Sequence, residues 1–490
     1  MKRLAKHLLL AIVYALLGSF VFATVLYIKK LNAQPDLQPW HVVDLEEEFR
    51  ASRSDEINDF DAYLALEDRL FAELQRKVYT EPEDPERGVF NRFRSGSRSD
   101  PAGQPINWNR SFELRVEEPR AGFLMLHGLT DSPYSMRALA ERLHARGVWV
   151  LGLRVPGHGT APAALADSSW KDFVAATRLG ANHLHGVLGP DRPFYIAGYS
   201  NGAALAVEYA LEAMEDDALP QPDGLLLLSP AIGLSKLAAF ASVQARVARL
   251  PSFEKVGWTS ILPEFDPYKY NSFPVNAGDQ IYRLTLMIGK RILRLGGPAG
   301  VADFPPTLAF QSLVDSTVPP TTIVQQLLAQ LEPNGHELVV FDVNRRAAAE
   351  DFLISDPTLV ERHLLSNPEL PFAVTMVTNE SPDSLSVVAL RKPARSNEVT
   401  REPLGLSWPA NVFSLSHVAI PFAPDDPLYG VDAAESEVPL LSLGRFEPRG
   451  ESGVLVVSAG YFARLRHNPF FDYMAGRIVD TYAPAPIASP

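Results

Sequence analysis

With 490 residues, 46% of them hydrophobic and 21% charged, the chain is long enough for two or three structural units around a large globular core. Its formal net charge of −13 argues against nucleic acid as a general partner. It has no cysteine, which excludes disulfides, thiol catalysis and cysteine-ligated metal.

The first element is an uncharged apolar run over residues 8–28, flanked by Lys2, Arg3 and Lys6 before it and Lys29-Lys30 after it. As a helix it would be about 31 Å long, enough to cross the hydrocarbon core of a bilayer. Leu31-Asn32-Ala33 is a poor cleavage site. The expectation is therefore an uncleaved anchor over residues 1–30, rather than a signal peptide or a buried helix. The excess of basic residues before the run predicts a cytoplasmic amino terminus. A single-pass membrane protein follows, with its body outside the cytoplasm, periplasmic in a bacterium.

Residues 31–105 read as a helical segment and linker. Asp44-Leu45-Glu46-Glu47 has the spacing of a helix start. Ile57, Phe60, Leu64, Phe71, Leu74 and Val78 then recur at three- and four-residue steps, which predicts one amphipathic helix. Residues 80–104 are polar and rich in Pro, Gly, Ser and Arg, as a linker would be.

From residue 106 the pattern alternates. Short apolar runs at 112–114, 122–126, 148–153, 194–197, 225–228, 307–310 and 338–341 read as strands, and 135–146 reads as a helix. Such alternation predicts a mostly parallel central sheet flanked by helices, one α/β domain over 106–482. Within that domain a segment at about 231–304 and another at about 344–412 interrupt the alternation. Within the second, runs at 372–377 and 385–390 are strand-like and would extend the sheet. The Pro/Ala-rich end, 483–490, is expected to be disordered.

Chemistry concentrates at Gly198-Tyr199-Ser200-Asn201-Gly202. A buried strand precedes it and a small-residue helix beginning Ala203-Ala204-Leu205-Ala206 follows, the strand–turn–helix setting that exposes a serine hydroxyl above a sheet. His127-Gly128 and Pro156-Gly157-His158-Gly159 follow two earlier strands. In this order the three motifs resemble those of the α/β-hydrolase superfamily, nearest its branch of monoacylglycerol lipases, lysophospholipases and carboxylesterases. The resemblance covers about residues 106–318.

That resemblance implies an α/β-hydrolase fold with a helical cap at 231–304 and Ser200 as nucleophile. It implies an oxyanion hole from the backbone N–H groups of Leu129 and Asn201, two fixed donors for the charge on a carbonyl oxygen. His127 and His158 would hold loops. Asp315-Ser316-Thr317-Val318, after the strand at 307–310, matches the family's acid, though Asp315 could instead cap a helix starting near Thr321. The family's histidine belongs shortly after the strand at 337–343, where Asn344-Arg345-Arg346-Ala347 stands here. His417, His363 and His336 are the candidates. His417, within Ser416-His417-Val418-Ala419-Ile420-Pro421, has the setting of a catalytic loop. Its choice requires the insertion at about 344–412.

The implied reaction is hydrolysis of a carboxylic ester, of an acyl-ester lipid in particular, through an acyl-enzyme, with no metal and no cofactor. Acyl transfer, thioester hydrolysis and a non-catalytic membrane scaffold are the alternatives. His183-x-His185 lacks a third ligand for a metal site. In the cap, Phe240, Phe253, Trp258, Ile261, Leu262 and Phe265 would line an acyl pocket or simply pack. Nine Lys/Arg against five Asp/Glu over 231–304 make the cap basic. A helix at 279–295 would present Arg283, Lys290 and Arg294 on one stripe, for anionic lipid or merely for solvent.

Overall fold

The alternation beginning near residue 106 becomes one ten-stranded sheet in a computed structural model, which describes residues 2–79, 88–233, 254–298, 300–347, 353–354, 356–431, 442–444 and 455–483. In chain order the strands are β1 (Phe112–Leu114), β2 (Ala121–Leu126), β3 (Val148–Leu153), β4 (Phe194–Tyr199) and β5 (Gly224–Leu228). A small separate ribbon, β6 (Trp258–Ser260) and β7 (Phe273–Pro274), follows. Then come β8 (Thr307–Ser312), β9 (Glu337–Phe341), β10 (Ala373–Asn379), β11 (Ser386–Lys392) and β12 (Thr400–Ser407). The order across the sheet is β1-β3-β2-β4-β5-β8-β9-β10-β11-β12. In that order the neighbours from β3 through β2 to β10 pair parallel, while β1 pairs antiparallel with β3 at one edge and β11 and β12 extend the other edge by antiparallel pairing.

Every residue of β2 and β5 is buried, because both faces of the sheet are covered. Leu225 and Leu227 enter the core on one face, and Leu226 and Leu228 the core on the other, as the two-residue period of a strand requires. The helices used below are α1 (Lys2–Asn32), at the amino terminus, and α2 (Phe60–Lys77), α3 (Arg137–His144), α4 (Trp170–Leu188), α5 (Asn201–Ala213), α6 (Val275–Leu295), α7 (Pro320–Gln326), α8 (Thr358–Ser366) and α9 (Phe471–Tyr482), which pack on the domain.

The amino terminus departs from expectation. Helix α1 forms, yet among the described residues no helix is long and apolar enough to cross a membrane. The helix runs through its basic flanks rather than stopping at them, taking in Lys2, Arg3, Lys6, Lys29 and Lys30, and Gly18-Ser19 interrupts its apolar run. The transmembrane helix is therefore not part of this fold. The single-pass membrane location, the extracytoplasmic body and the anchoring of the protein through this helix lose their basis with it.

No helix starts at Asp44 either. The Glu46 and Glu47 amides donate to the Glu73 carboxylate, 3.0 Å each, and the helix begins after Asp59, whose side chain accepts from the Ala62 amide at 2.7 Å. This segment is built onto the sheet through a buried guanidinium. Arg154, at the end of β3, has no exposed surface and meets Glu48 at 3.1 and 3.2 Å and Glu67 at 3.0 Å. Burying a cation demands such partners, so Glu48 and Glu67 clamp the amino-terminal segment on the domain.

The second segment adds α8 and three strands to the edge of the sheet beyond β9. Its two ends meet: the Asn344 amide donates to Phe413 O at 2.7 Å and the Asn344 side chain to Val412 O at 2.8 Å. The chain leaves the domain and re-enters it at one point. Of the carboxyl-terminal tail, Ala483 is buried and 484–490 lie outside the described residues.

Candidate active site

β4 ends at Tyr199 and α5 starts at Asn201, which leaves Ser200 alone in the turn at φ 55° and ψ −112°. A serine at positive φ is strained and persists only where its surroundings fix it. Here the Ser200 amide donates to Leu228 O at 2.9 Å, and the Ala203 and Ala231 amides both donate to Ser200 O at 3.1 Å. The flanking glycines are required by space. A Cβ on Gly198 would lie 2.3 Å from the Gly202 carbonyl carbon, and one on Gly202 would lie 2.0 Å from Leu126 O.

The insertion delivers His417 to this turn from a distance of 217 residues. The returning chain is held by the Asn344 to Phe413 bond, by Ser312 Oγ donating to Leu415 O at 2.8 Å, and by Ser416 Oγ donating to Leu465 O at 2.6 Å. His417 Nε2 then lies 2.9 Å from Ser200 Oγ, and Nδ1 lies 2.7 Å from Asp315 Oδ2. All three side chains are buried.

Asp315 leaves β8 in a turn and does not cap α7. Its Oδ1 accepts from the Thr317 and Val318 amides at 2.8 and 2.9 Å, and its Oδ2 also accepts from Gln311 Nε2 at 2.9 Å. A carboxylate so surrounded by donors acts as an acceptor, which puts the imidazole proton on His417 Nδ1. Nε2 is left with its lone pair directed at the serine hydroxyl. Gln311 was not singled out above. Its only signal is a polar side chain near the carboxyl end of a buried strand.

Leu129 sits in a reverse turn, closed by the Asp131 amide donating to Gly128 O at 3.2 Å. Asn201 is the first residue of α5, where helical amides have no intrahelical acceptor and the local potential is positive. Among the described residues neither amide has a protein acceptor. His127 Nε2 accepts from the Val155 amide at 3.0 Å and its Nδ1 faces Gly128 O at 2.9 Å; burial drives its pKa well down. His158 Nδ1 faces Pro156 O at 2.9 Å, and burial pushes that ring down to about 4. Both rings are neutral loop fasteners.

The remaining candidates lie elsewhere. His336 precedes the amino end of β9, opposite the end that carries Asp315 and Ser200, and His363 lies in α8. His183 Nε2 pairs with Glu113 at 2.7 Å. In the cap, Trp258 packs edge-on against His41 at 4.8 Å and Phe265 joins an aromatic cluster, so these two are packing residues. Phe240 and Phe253 lie outside the described residues. The basic stripe of α6 is largely neutralised: Arg283 donates to Asp279 at 2.7 Å, and Arg294 to Glu215 at 2.5 and 2.6 Å. Arg291 adds bonds to Glu208 and Glu212 at 2.9 Å each, which fasten α6 to α5.

The model of the family described as serine aminopeptidase, S33, matches residues 117–260. Over 251 residues the chain is 26% identical to a thermostable monoacylglycerol lipase from a Bacillus species, covering 51% of this chain and 91% of that protein. Among solved structures it is similar to a monoacylglycerol lipase from Paleococcus ferrophilus, at 18% identity and a TM-score of 0.37, over 47% of this chain and 88% of that one. A soluble variant of monoglyceride lipase from Saccharomyces cerevisiae, bound to a substrate analogue, gives 14% identity and 0.37, over 47% and 82%. The fold itself rests on the strand order and the serine turn. The chain is a hydrolase with the strand order and serine turn of the α/β-hydrolase type, and it is similar in sequence to the branch of the monoacylglycerol lipases.

Proposed function

We propose that the protein hydrolyses carboxylic esters, acyl-ester lipids among them, with Ser200 as nucleophile, His417 as general base and Asp315 as the acid that orients it. The observation that carries this reading is the relay of 2.9 Å from Ser200 Oγ to His417 Nε2 and 2.7 Å from Nδ1 to Asp315 Oδ2. His417 takes the serine proton as Oγ attacks the acyl carbon, and Asp315 stabilises the imidazolium. The Leu129 and Asn201 amides receive the oxyanion, a contribution of several kcal/mol where such donors are removed in other enzymes. The imidazolium then gives its proton to the departing alcohol. Water, deprotonated by the same imidazole, releases the acid and restores Ser200.

The lipid part of the reading draws on the Bacillus relative, named a monoacylglycerol lipase. The test is hydrolysis of p-nitrophenyl butyrate and of a monoacylglycerol by the purified protein and by Ser200→Ala. Turnover of both by the wild type and of neither by the variant supports it. Activity that survives in Ser200→Ala contradicts the nucleophile, and turnover of the soluble ester alone contradicts the lipid substrate.

A further inference from the structure

The turn that presents the Leu129 amide carries an unusual residue. Gly128 to Asp131 closes as a reverse turn, and its third residue, Thr130, has φ 66°. That position favours glycine, and a β-branched residue there is strained. Such strain lasts only where the neighbourhood holds both sides of the residue. Here the neighbourhood is one short strap of the cap. The Tyr270 amide donates to Thr130 O at 2.8 Å, and Lys269 Nζ meets Asp131 Oδ1 at 2.7 Å in a pair that is mostly buried.

The strap is anchored on its other side as well. Tyr270 Oη accepts from the Thr160 amide at 2.8 Å and donates to Gly157 O at 3.2 Å, so the residue is fixed to the second motif loop. Tyr268 stacks on Tyr134 at 4.2 Å and 7°. Asp266 accepts from the Tyr268 amide at 3.0 Å and from Tyr429 Oη at 2.7 and 2.8 Å, which ties the strap to the chain that follows His417. Asp131 also closes the turn, its amide donating to Gly128 O at 3.2 Å, and its carboxylate leaves no room for a Cβ on Gly128, 2.7 Å from Oδ2. A displacement of Asp131 therefore reaches the Gly128–Leu129 peptide through that bond.

We infer that Lys269 and Tyr270 are positioning residues for the reaction, a clasp by which the cap holds Thr130 in its strained conformation and aims the Leu129 N–H at the oxyanion. This deepens the ester-hydrolase reading and rests on it. Lys269 is not a catalytic residue. Its ammonium acts through Asp131, and its loss is felt in the transition state more than in ground-state binding.

The test uses the full chain and p-nitrophenyl butyrate, an uncharged probe. In Lys269→Met kcat falls about tenfold or more, a fraction of the loss on deleting an oxyanion donor, while KM changes less than about twofold. Lys269→Arg keeps most of the wild-type kcat. Adding Thr130→Gly to Lys269→Met restores kcat, because glycine holds positive φ without a clasp. If Lys269→Met does not fold, Asp131→Asn with Lys269→Met leaves no lone buried charge and carries the same expectation. A folded Lys269→Met with wild-type kcat, a loss confined to KM, or no recovery with Thr130→Gly overturns the clasp alone. A wild-type chain that turns over no ester overturns the hydrolase reading beneath it.

Discussion

At the scale of single residues, the glycines around Ser200 were legible because their requirement is local. A strand, a turn and a helix meet within a few residues, and no side chain fits between them. Gly202→Ala is expected to cost about 1–3 kcal/mol through overpacking, since the clash is with Leu126 backbone rather than a movable side chain. Urea denaturation measures it, and unchanged stability would contradict the tight turn. Gln311 was not legible, because its importance lies in reaching Asp315 and Val318 in the turn that follows its strand, and a lone polar residue does not announce its partners. Titration gives a further check. His41 and His158 are buried and neutral, and burial lowers each from 6.5 to about 4. Between those values the unfolded chain binds more protons than the folded one, so stability falls as pH drops through this window. Each such ring contributes a slope of up to about 1.4 kcal/mol per pH unit. Urea midpoints measured from pH 7.5 to 4.5 should fall less steeply in His158→Asn than in the wild type, and identical slopes would contradict a buried neutral His158.

Among the elements, strands that read as apolar runs formed, since burial on both faces leaves a continuous signature. β12 was not foreseen. Its sequence, Thr-Arg-Glu-Pro-Leu-Gly-Leu-Ser, lies mostly exposed at the sheet edge, where proline and charge are tolerated and hydrophobic patterning is lost. The start expected at Asp44 failed for a different reason: the amides that would have begun a helix are satisfied by Glu73, near the end of α2. The Arg154 clamp was equally hidden, because its partners stand 87 and 106 residues away. Glu48 binds both terminal nitrogens of Arg154, whereas Glu67 is buried enough that its carboxyl pKa rises. Glu48→Gln should therefore cost about 3 kcal/mol or more, the usual result of stranding a buried charge. Glu67→Gln, which removes a carboxylate that burial already disfavours, should cost clearly less. Equal losses in urea titrations would contradict this asymmetry.

Over the whole molecule, the resemblance carried by three motifs extended to the architecture, while the charge pattern of the cap did not disclose its pairings. The cap looked basic in sequence, yet Arg283, Arg291 and Arg294 are spent on Asp279, Glu208, Glu212 and Glu215. The apolar amino-terminal run likewise made a helix without making a span. The histidine was the hardest part, since the insertion moves it about seventy residues along the chain, and the closure at Asn344 and Phe413, with the Ser312 and Ser416 bonds, brings His417 back beside Ser200. That closure makes the central claim testable directly. The rate at which a fluorophosphonate probe labels Ser200, followed by mass spectrometry, should fall at least about a hundredfold in His417→Ala and stay unchanged in His363→Ala. Labelling of His417→Ala at the wild-type rate, or its loss in His363→Ala, would contradict the account.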